Sequence, residues 1–455
     1  MPMSRKRHHR PPPIRHRQPL DVQQALPIAV NLLRSGQLEE AERLYRYILQ
    51  IQPANPDALH FLGVLLYQGG ESVEAVRLIE QALVYQPDYA DAHNNLGNIL
   101  SSLGRSAEAV AAYRRAIACC ADFPDAYKNL GVALRQQGHL AEAIEVLQQG
   151  IAIKPDYADA YFSLGRTLAA DDQPEAAIQA LQEGLRHDSR QSVGYRELGR
   201  ILYALNRIEE AADCYRRWTR QYPDDPEARH LLAAITGEDI PVRAADGYMQ
   251  ALFDRFAHSF DQQLQRLNYQ APNLLATAIA SQQEPNSTLR VLDAGCGTGL
   301  CGPLLRPYAH HLTGVDLSPQ MIAKARAREV YDGLVIAELT AFMREQTEGF
   351  DLIVFADTLI YFGDLEPPLR AAAGALLPGG LLAFTVERLM DETEGFHLSS
   401  SGRYLHSQVY LERILMSVNL TPLSIVPADL RLERRQPVGG YVVLTRKLSD
   451  LAPVG

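Results

Sequence analysis

Apolar and small residues follow two different patterns along this chain, one in the first half and one in the second. From about residue 22 to residue 225 they recur with a constant step of thirty-four residues. The step is marked by Leu62-Gly63, Leu96-Gly97, Leu130-Gly131, Leu164-Gly165 and Leu198-Gly199, and by Ala41, Ala75, Ala109, Ala143, Ala177 and Ala211. Glycine and alanine let two helices approach closely, and prolines such as Pro53 and Pro155 end a helix. Each step therefore predicts a pair of packed helices.

The repeated unit resembles the tetratricopeptide repeat, in six units over residues 22–225. The first unit departs from the pattern because Ala29 stands where the glycine is expected, which suggests a cap. A further helix is predicted over residues 226–239, closing the array. The resemblance implies an all-α solenoid over residues 22–239 whose concave surface binds a protein or peptide.

Polar side chains on the first helix of two successive units mark a predicted partner site, because that helix lines the concave surface in this family. They are Asn94, Asn95, Asn98, Lys128 and Asn129. An asparagine amide offers both a donor and an acceptor, so these side chains suit the backbone of an extended peptide. The alternative interpretation is a polar surface that keeps the array soluble, and the sequence leaves both open.

After a predicted linker around residues 238–247 the thirty-four-residue period stops. Helical patterning over residues 248–284 is followed by short apolar runs that alternate with helix-like segments. The runs are 290–292, 312–315, 334–337, 352–355, 381–386, 424–426 and 441–444. This alternation predicts a doubly wound α/β sheet that binds its ligand at the carboxyl ends of the strands.

A glycine-rich motif follows the first run, with Gly295, Gly297 and Gly299 in alternate positions after Asp293. Such glycines allow a tight turn and leave room for a ligand. Asp316 ends the next run, at the separation where a carboxylate meets ribose hydroxyls. A dinucleotide motif would have glycine at position 300, which is Leu300, and a pyrophosphate has little use for Asp293. A cofactor with an ammonium group suits Asp293 better.

Residues 245–447 resemble the class I S-adenosylmethionine-dependent methyltransferases, through the motif Asp-x-Gly-Cys-Gly-Thr-Gly, the ribose acid and a Leu-Pro-Gly-Gly turn at 377–380. Together with the repeats, the chain resembles bacterial methyltransferases that carry tetratricopeptide repeats. The resemblance implies a Rossmann-like α/β domain over residues 240–447, with a mostly parallel, seven-stranded sheet. The implied S-adenosyl-L-methionine site consists of Asp293, Gly295, Cys296, Gly297, Gly299, Asp316, Leu317, Met321, Glu338, Leu339 and Ala356. Met321 would pack on the adenine, and Glu338 would accept a hydrogen bond from its amino group.

The methyl acceptor is expected beyond the fourth strand, where Asp357 and Tyr361 follow the run 352–355. Asp357 is alternatively a helix cap, because Leu359 and Ile360 follow it. The segment 387–407 is predicted to roof the acceptor site as a loop. In it Arg403 and Tyr404 are candidates for substrate binding and His406 for proton transfer, with ordinary loop residues as the alternative.

Composition narrows the class of protein. A net charge of −10 disfavours nucleic acid and anionic membranes as partners. Residues 1–21 form a basic arm that is predicted to be disordered, and residues 448–455 a tail. Five cysteines without zinc-ligand spacing, and no apolar stretch of bilayer length, favour a cytoplasmic protein with reduced thiols and no metal site.

Three functions remain open from the sequence. The first is a methyltransferase whose repeats recruit a protein partner or substrate, with a small molecule, a carrier-bound group, a glycan or a protein as acceptor. The second is a repeat scaffold with an inactive or cofactor-sensing methyltransferase-like domain. The third is a nicotinamide oxidoreductase, which Leu300 and Asp293 disfavour.

Overall fold

The computed structural model describes residues 21–390, 395–433 and 436–448. The predicted basic arm (except Asp21) and the predicted tail (except Leu448) lie outside the described residues. The chain forms two compact units that divide between Leu205 and Asn206. The first unit consists of helices among its described residues, and the second combines helices with a β-sheet.

The first unit contains eleven helices among its described residues. They are α1 Val22–Arg34, α2 Leu38–Ile51, α3 Pro56–Gln68, α4 Ser72–Tyr85, α5 Ala90–Ser102, α6 Ser106–Cys119, α7 Pro124–Gln136, α8 Leu140–Ile153, α9 Ala158–Ala170, α10 Pro174–His187 and α11 Ser192–Ala204. They form five packed pairs of consecutive helices, α1–α2 to α9–α10, followed by α11. Within the described ranges, no helix of the chain is long and apolar enough to cross a bilayer.

The Leu-Gly pairs of the sequence are the contact points between paired helices. A Cβ on Gly97 would lie 2.5 Å from the Tyr113 ring of the next helix, and one on Gly131 would lie 2.5 Å from Leu147 Cγ. Because these distances are too short for any side chain, glycine sets the separation of the two helices. The predicted period is therefore a packing requirement, and the predicted helical array is confirmed.

The second unit begins with helices and continues as an α/β sheet. Its helices are α12 Ile208–Gln221, α13 Pro226–Thr236, α14 Asp246–Phe256, α15 Phe260–Arg266, α16 Ala271–Ala280, α17 Gly302–Leu305, α18 Pro319–Arg326, α19 Leu339–Arg344, α20 Glu366–Ala375 and α21 Gln408–Ser417, with a 3-10 turn at Leu359–Tyr361. The helix predicted over 226–239 is thus present as α13. It falls within the second unit, whereas the sequence-based boundary lies near residue 239.

The sheet has nine strands among the described residues. They are β1 Leu289–Ala294, β2 Ala309–Asp316, β3 Gly333–Ile336, β4 Phe350–Phe355, β5 Leu376–Arg388, β6 Phe396–Leu398, β7 Tyr404–His406, β8 Leu420–Glu433 and β9 Gln436–Lys447. Strands β3, β2, β1, β4 and β5 are parallel neighbours in that order, and β9 and then β8 continue the sheet antiparallel. These seven strands correspond to the predicted runs, and the mostly parallel α/β sheet is confirmed.

The remaining two strands correct the predicted loop over residues 387–407. Strands β6 and β7 form an antiparallel hairpin, and β7 pairs with the carboxyl end of β5. Leu398, Tyr404 and His406 are buried on one face of this hairpin. Each strand has only three residues, which is too short for alternation to be visible in the sequence.

Candidate functional site

The glycine motif forms a tight turn between the carboxyl end of β1 and the next helix. Gly295, Gly297 and Gly299 have φ angles of 78°, 53° and 85°, a region that side-chain-bearing residues rarely adopt. The amides of Gly295 and Cys296 donate to the Val315 carbonyl of β2, at 2.8 and 2.9 Å. A Cβ on Gly295 would lie 2.4 Å from the Thr358 side chain. The turn is therefore fixed against both neighbouring strand ends.

Two carboxylates flank this turn, that of Asp293, which is buried, and that of Asp316, which is half-buried. Asp316 Oδ2 accepts from the Gly297 amide at 2.9 Å, and its Oδ1 accepts from the Ser318 amide at 2.8 Å. Asp293 Oδ2 accepts from the Tyr331 hydroxyl at 2.6 Å, whereas Asp293 Oδ1 is buried without a hydrogen-bond partner among the described residues. Burial raises the pKa of Asp293 to about 7 and also raises the pKa of Asp316. An unsatisfied buried carboxylate oxygen calls for a donor or a cation from a ligand.

A cavity of about 350 Å³ opens at the carboxyl ends of β1 and β4. The two acids and the glycine turn line one end of it, and Ala356, Asp357 and Tyr361 follow from β4. A smaller cavity of about 70 Å³ shares Gly295 and Asp316 with the larger one. Its lining includes Leu317, Ala337, Glu338 and Leu339. Most of the cofactor residues predicted from the sequence are thus brought to one place.

Three of the predicted cofactor residues have surroundings that the sequence did not indicate. Met321 is fully buried in α18 and is not among the described residues that line either cavity. Leu317, by contrast, is one of the residues that line the smaller cavity. Glu338 accepts from the Thr340 and Ala341 amides at 3.1 and 2.7 Å, and so caps α19. Its Oε1 also accepts from Arg243 at 3.1 Å. Cys296 lines the larger cavity and lies beside a small buried cluster.

Helices α14 and α15 cover the larger cavity with aromatic and aliphatic side chains. The covering residues are Tyr248, Leu252, Phe253, Phe256, Phe260, Leu264 and Leu267. Two aspartates anchor the helices to the site. Asp254 accepts from the Ser318 hydroxyl and Asp261 from Thr298 of the glycine turn and from Arg328. The cover is therefore tied directly to the two loops that follow β1 and β2.

The other end of the cavity contains a network of five charged side chains, of which the sequence indicated only Asp357 and Arg403. Arg431 Nη1 donates to Asp357 at 2.9 Å, its Nε to Glu433 at 2.8 Å and its Nη2 to Glu387. Arg403 pairs with Glu387 at 2.7 Å and with Glu433 at 2.5 Å. The Arg431 side chain is only 4% exposed. All three of its donor groups are thus directed at carboxylates.

Asp357 is part of this network and not a helix cap. Asp357 has a φ of 51°. The 3-10 turn that follows it, Leu359–Tyr361, begins without a side-chain cap hydrogen bond. Asp357 Oδ1 accepts from the Thr385 hydroxyl at 2.8 Å and Oδ2 from Arg431. Burial raises the pKa of Asp357, although Arg431 and Thr385 act in the opposite direction. Burial likewise raises the pKa of Tyr361, the second predicted acceptor-side residue.

The predicted roles of His406, Tyr404 and Arg403 need correction. His406 is fully buried in β7, its Nε2 donates to the Gly363 carbonyl at 3.0 Å, and burial lowers its pKa to about 4. The Tyr404 hydroxyl donates to the Pro241 carbonyl at 2.7 Å. Neither side chain is among the described residues that line the cavity, so neither can meet a substrate there. Arg403 does line the cavity, but its guanidinium is already paired with two glutamates.

Helix α13 supports the same end of the cavity. The buried His230 donates from Nε2 to the Gly402 carbonyl at 2.8 Å, and its ring lies 5.2 Å from that of Tyr248. Glu227 pairs with Arg255 of α14 at 3.2 Å. Gly402 and Tyr248 both line the cavity. This support explains why α13 belongs to the second unit.

In the first unit, the predicted partner residues of α5 and α7 contact one another. Asn129 Nδ2 donates to Asn94 Oδ1 at 2.9 Å and to Asn98 Oδ1 at 3.1 Å. Tyr113 also donates to Asn98 Oδ1, and Asn95 Nδ2 lies 2.9 Å from His60 Nε2. Lys128 is half-buried beside them. These asparagines join successive repeats, so an internal role accompanies the predicted peptide binding, which stays a prediction.

Sequence reasoning missed Arg431, Glu387, Glu433, Tyr331 and His230. Glu387 and Arg431 lie 44 residues apart, so no local motif joins them. One weak signal in the sequence could have indicated this network. Glu387 follows an apolar run near the end of β5, and a charged residue that is buried there requires a partner of opposite charge.

Family models and relatives agree with this geometry. A methyltransferase domain matches residues 292–384, and tetratricopeptide repeat models match residues 32–94, 78–111, 97–138, 132–172 and 168–235. The chain is 31% identical over 157 residues to a ubiquinone biosynthesis O-methyltransferase of Xylella fastidiosa, covering 32% of this chain and 64% of the relative. It is 35% identical over 166 residues to methyltransferase-like protein 27 of Homo sapiens, covering 35% of this chain and 64% of the relative.

Among solved structures, MamA is 26% identical, with a TM-score of 0.33, over 36% of this chain and 95% of that chain. PilF of Pseudomonas aeruginosa is 20% identical, with a TM-score of 0.42, over 47% of this chain and 96% of that chain. Residues 292–384, which run from β1 into β5 of the mostly parallel sheet, match a methyltransferase domain model. Residues 32–235, which precede them, match tetratricopeptide repeat models. The chain spans just under two thirds of the length of the two curated relatives.

Proposed function

We propose that the chain is an S-adenosylmethionine-dependent methyltransferase whose repeats recruit or position a protein. The observation that supports this most directly is Asp293 Oδ1, which has no hydrogen-bond partner among the described residues and is buried beside three glycines in left-handed conformations. A buried anion of this kind matches a ligand with an ammonium group and opposes a pyrophosphate. The same observation disfavours a nicotinamide oxidoreductase. The methyltransferase domain match and the methyltransferase relatives disfavour a repeat scaffold with an inactive or cofactor-sensing methyltransferase-like domain.

In this proposal each part of the site holds one part of the cofactor. Asp293 would pair with the ammonium group, and Asp316, fixed by two backbone amides, would accept hydrogen bonds from the ribose. Leu317, Ala337 and Leu339 would enclose the adenine in the smaller cavity. Glu338 would act there mainly by ordering α19, because both of its oxygens already accept hydrogen bonds.

The bound cofactor would supply a methyl group that is already activated by a positively charged sulfur. What remains for the chain is to orient an acceptor and to exclude water. The aromatic side chains of α14 and α15 form an apolar wall that would exclude water. In this wall the rings of Phe253 and Tyr361 pack edge to face, with their centroids 5.5 Å apart. Asp357 and Tyr361 would orient the acceptor atom beyond Ala356, without a dedicated general base.

The test is calorimetric titration of S-adenosylhomocysteine, with NADH as the control ligand. We expect saturable binding of the nucleoside alone and a loss of at least about tenfold in affinity, or about 1.4 kcal/mol, in Asp316→Ala. The matched control is Asp224→Ala, which removes an exposed carboxylate. Binding of NADH instead, or no binding by folded protein, would overturn the proposal.

A further inference from the structure

The end of the larger cavity that Asp357 and Arg431 line has an unusual charge balance. Its network joins two arginines, Arg403 and Arg431, with three carboxylates, those of Asp357, Glu387 and Glu433, so acids exceed bases by one. The lining of the whole cavity also contains more acidic than basic side chains. Among the described residues its charged members are four acids (Asp293, Asp316, Asp357 and Glu433) and two arginines (Arg403 and Arg431).

Both arginines of this network are already paired with carboxylates. Each of the three donor groups of Arg431 donates to a carboxylate. Arg403 donates from Nη2 to Glu433, and its Nε lies 2.7 Å from Glu387 as an ion pair without hydrogen-bond geometry. A carboxylate or phosphate on the substrate would have to displace one of these glutamates or remain unpaired in a buried site. Both outcomes cost free energy, because a buried anion needs a matched cation.

Apolar side chains also line the cavity, among them Phe256, Leu264, Leu267 and Ile360. Such a surface gains free energy by covering an aromatic or aliphatic body. Uncharged polar side chains of the lining, such as Gln263, Tyr269 and Ser401, can hydrogen-bond an uncharged group.

We propose that this end of the cavity binds an uncharged or cationic methyl acceptor with an apolar body and excludes acceptors that carry a carboxylate or phosphate beside the reacting atom. The proposal rests on the methyltransferase function proposed above and narrows its substrate class. Glu433 is the residue that sets the discrimination, because it neutralises one face of each arginine and also lines the cavity.

The test uses three probes of one size and different charge: benzyl alcohol, benzylamine and benzoate. Their binding to the full chain, saturated with S-adenosylhomocysteine, is measured by saturation-transfer NMR titration. We expect benzyl alcohol and benzylamine to bind at least about tenfold more tightly than benzoate, the ratio that about 1.4 kcal/mol of charge repulsion produces. The variant Leu264→Trp fills the cavity with a larger side chain. In this variant the saturation-transfer signals of benzyl alcohol and of benzylamine should disappear.

The variant Glu433→Gln removes one negative charge and releases one face of each arginine. We expect the preference against benzoate to shrink to about threefold or less, because a guanidinium becomes available to the probe. Glu366→Gln, which breaks an exposed pair with Arg370, is the matched control and should leave the preference unchanged.

The outcomes separate this proposal from the function on which it rests. If S-adenosylhomocysteine binds but benzoate binds as tightly as benzyl alcohol, or no probe binds, the acceptor class proposed here is wrong and the methyltransferase proposal stands. If S-adenosylhomocysteine does not bind, both proposals fail together. The wild-type probe series decides the question even if Glu433→Gln does not fold.

Discussion

Two aspartates that line the larger cavity, Asp293 and Asp357, differ in how their carboxylate oxygens are paired. Asp293 has a single side-chain partner, Tyr331, and one oxygen without a partner among the described residues. Asp357 has both oxygens engaged, by Thr385 and by Arg431. Burial raises the pKa of both carboxyls, and it raises that of Asp293 to about 7.

This difference shows which end depends on a ligand. An unpaired buried carboxylate destabilises the ligand-free protein, and a cation supplied by the ligand removes that cost. A carboxylate paired with Arg431 is already stabilised when the cavity holds no ligand, so it contributes shape and charge without driving binding. In the proposed function, the ammonium group of the cofactor supplies the partner that Asp293 lacks, whereas Asp357 already has one in Arg431.

The largest effect is expected from Arg431→Leu. Removing the guanidinium leaves Asp357, Glu387 and Glu433 facing one another in a buried site, which should destabilise the second unit by about 3–5 kcal/mol. Trp218 is the chain's single tryptophan and lies in this unit, so its fluorescence during urea unfolding reports the change. Arg370→Leu, at an exposed pair, should cost about 1 kcal/mol or less. Equal effects of the two variants would remove the contrast between the two ends.

The next effect is expected from Asp293→Asn. The amide keeps the size of the side chain and can still accept from Tyr331, but it carries no charge for an ammonium group. Affinity for S-adenosylhomocysteine should fall about 10- to 100-fold, or about 1.4–2.8 kcal/mol, in calorimetric titrations. The stability of the ligand-free protein should stay the same or rise, because an unpaired acid is removed. A drop in stability with unchanged affinity would assign Asp293 to the fold alone.

A pH series tests the same carboxylate without changing it. The pKa of Asp293 is about 7 in the folded protein, against 3.8 for an unperturbed aspartate. At pH values between these two, the folded protein therefore holds a proton on this carboxyl that the unfolded chain does not hold. Its contribution to stability therefore declines as the pH rises from about 4 to about 7 and is constant above that range.

Binding should show the opposite trend. An ammonium group prefers the ionised carboxylate, so affinity for S-adenosylhomocysteine should be about tenfold lower, or about 1.4 kcal/mol, at about pH 6 than at about pH 8. Asp293→Asn should flatten this dependence in calorimetry across that range. A wild-type affinity that does not change with pH would show that the ligand does not pair with Asp293.

The smallest effect is expected from His230→Ala, which acts on the other end. The Gly402 carbonyl and the Tyr248 ring lose a neighbour, and we expect a loss of about 1 kcal/mol in the unfolding followed by Trp218. Affinity for S-adenosylhomocysteine should change less than about twofold, because His230 is not among the described residues that line either cavity. Arg229→Ala, an exposed position of the same helix, is the control. A large loss of cofactor affinity would show that the two ends are not independent.

The sequence was sufficient wherever the constraint is local. The thirty-four-residue period follows from glycines such as Gly97, which cannot hold a side chain against Tyr113. The glycine turn follows from three residues in left-handed conformations within five positions of the chain, and Asp316 from the end of an apolar strand. Backbone geometry and strand pattern can be recognised from neighbouring residues alone, so the turn and the strand end were placed from the sequence, while their role in cofactor binding stays a prediction.

Only the tertiary structure decided which polar residues meet. Arg431 lies 74 residues from Asp357, and His230 lies 172 residues from Gly402, so no local pattern joins either pair. His406 and Met321 looked suitable by type and position, but the fold buries both among other side chains, outside the cavity linings described. Burial and ion pairing depend on which segments pack together. The sequence therefore determined the two architectures and the glycine turn, and packing between distant segments determined the charged network around Arg431.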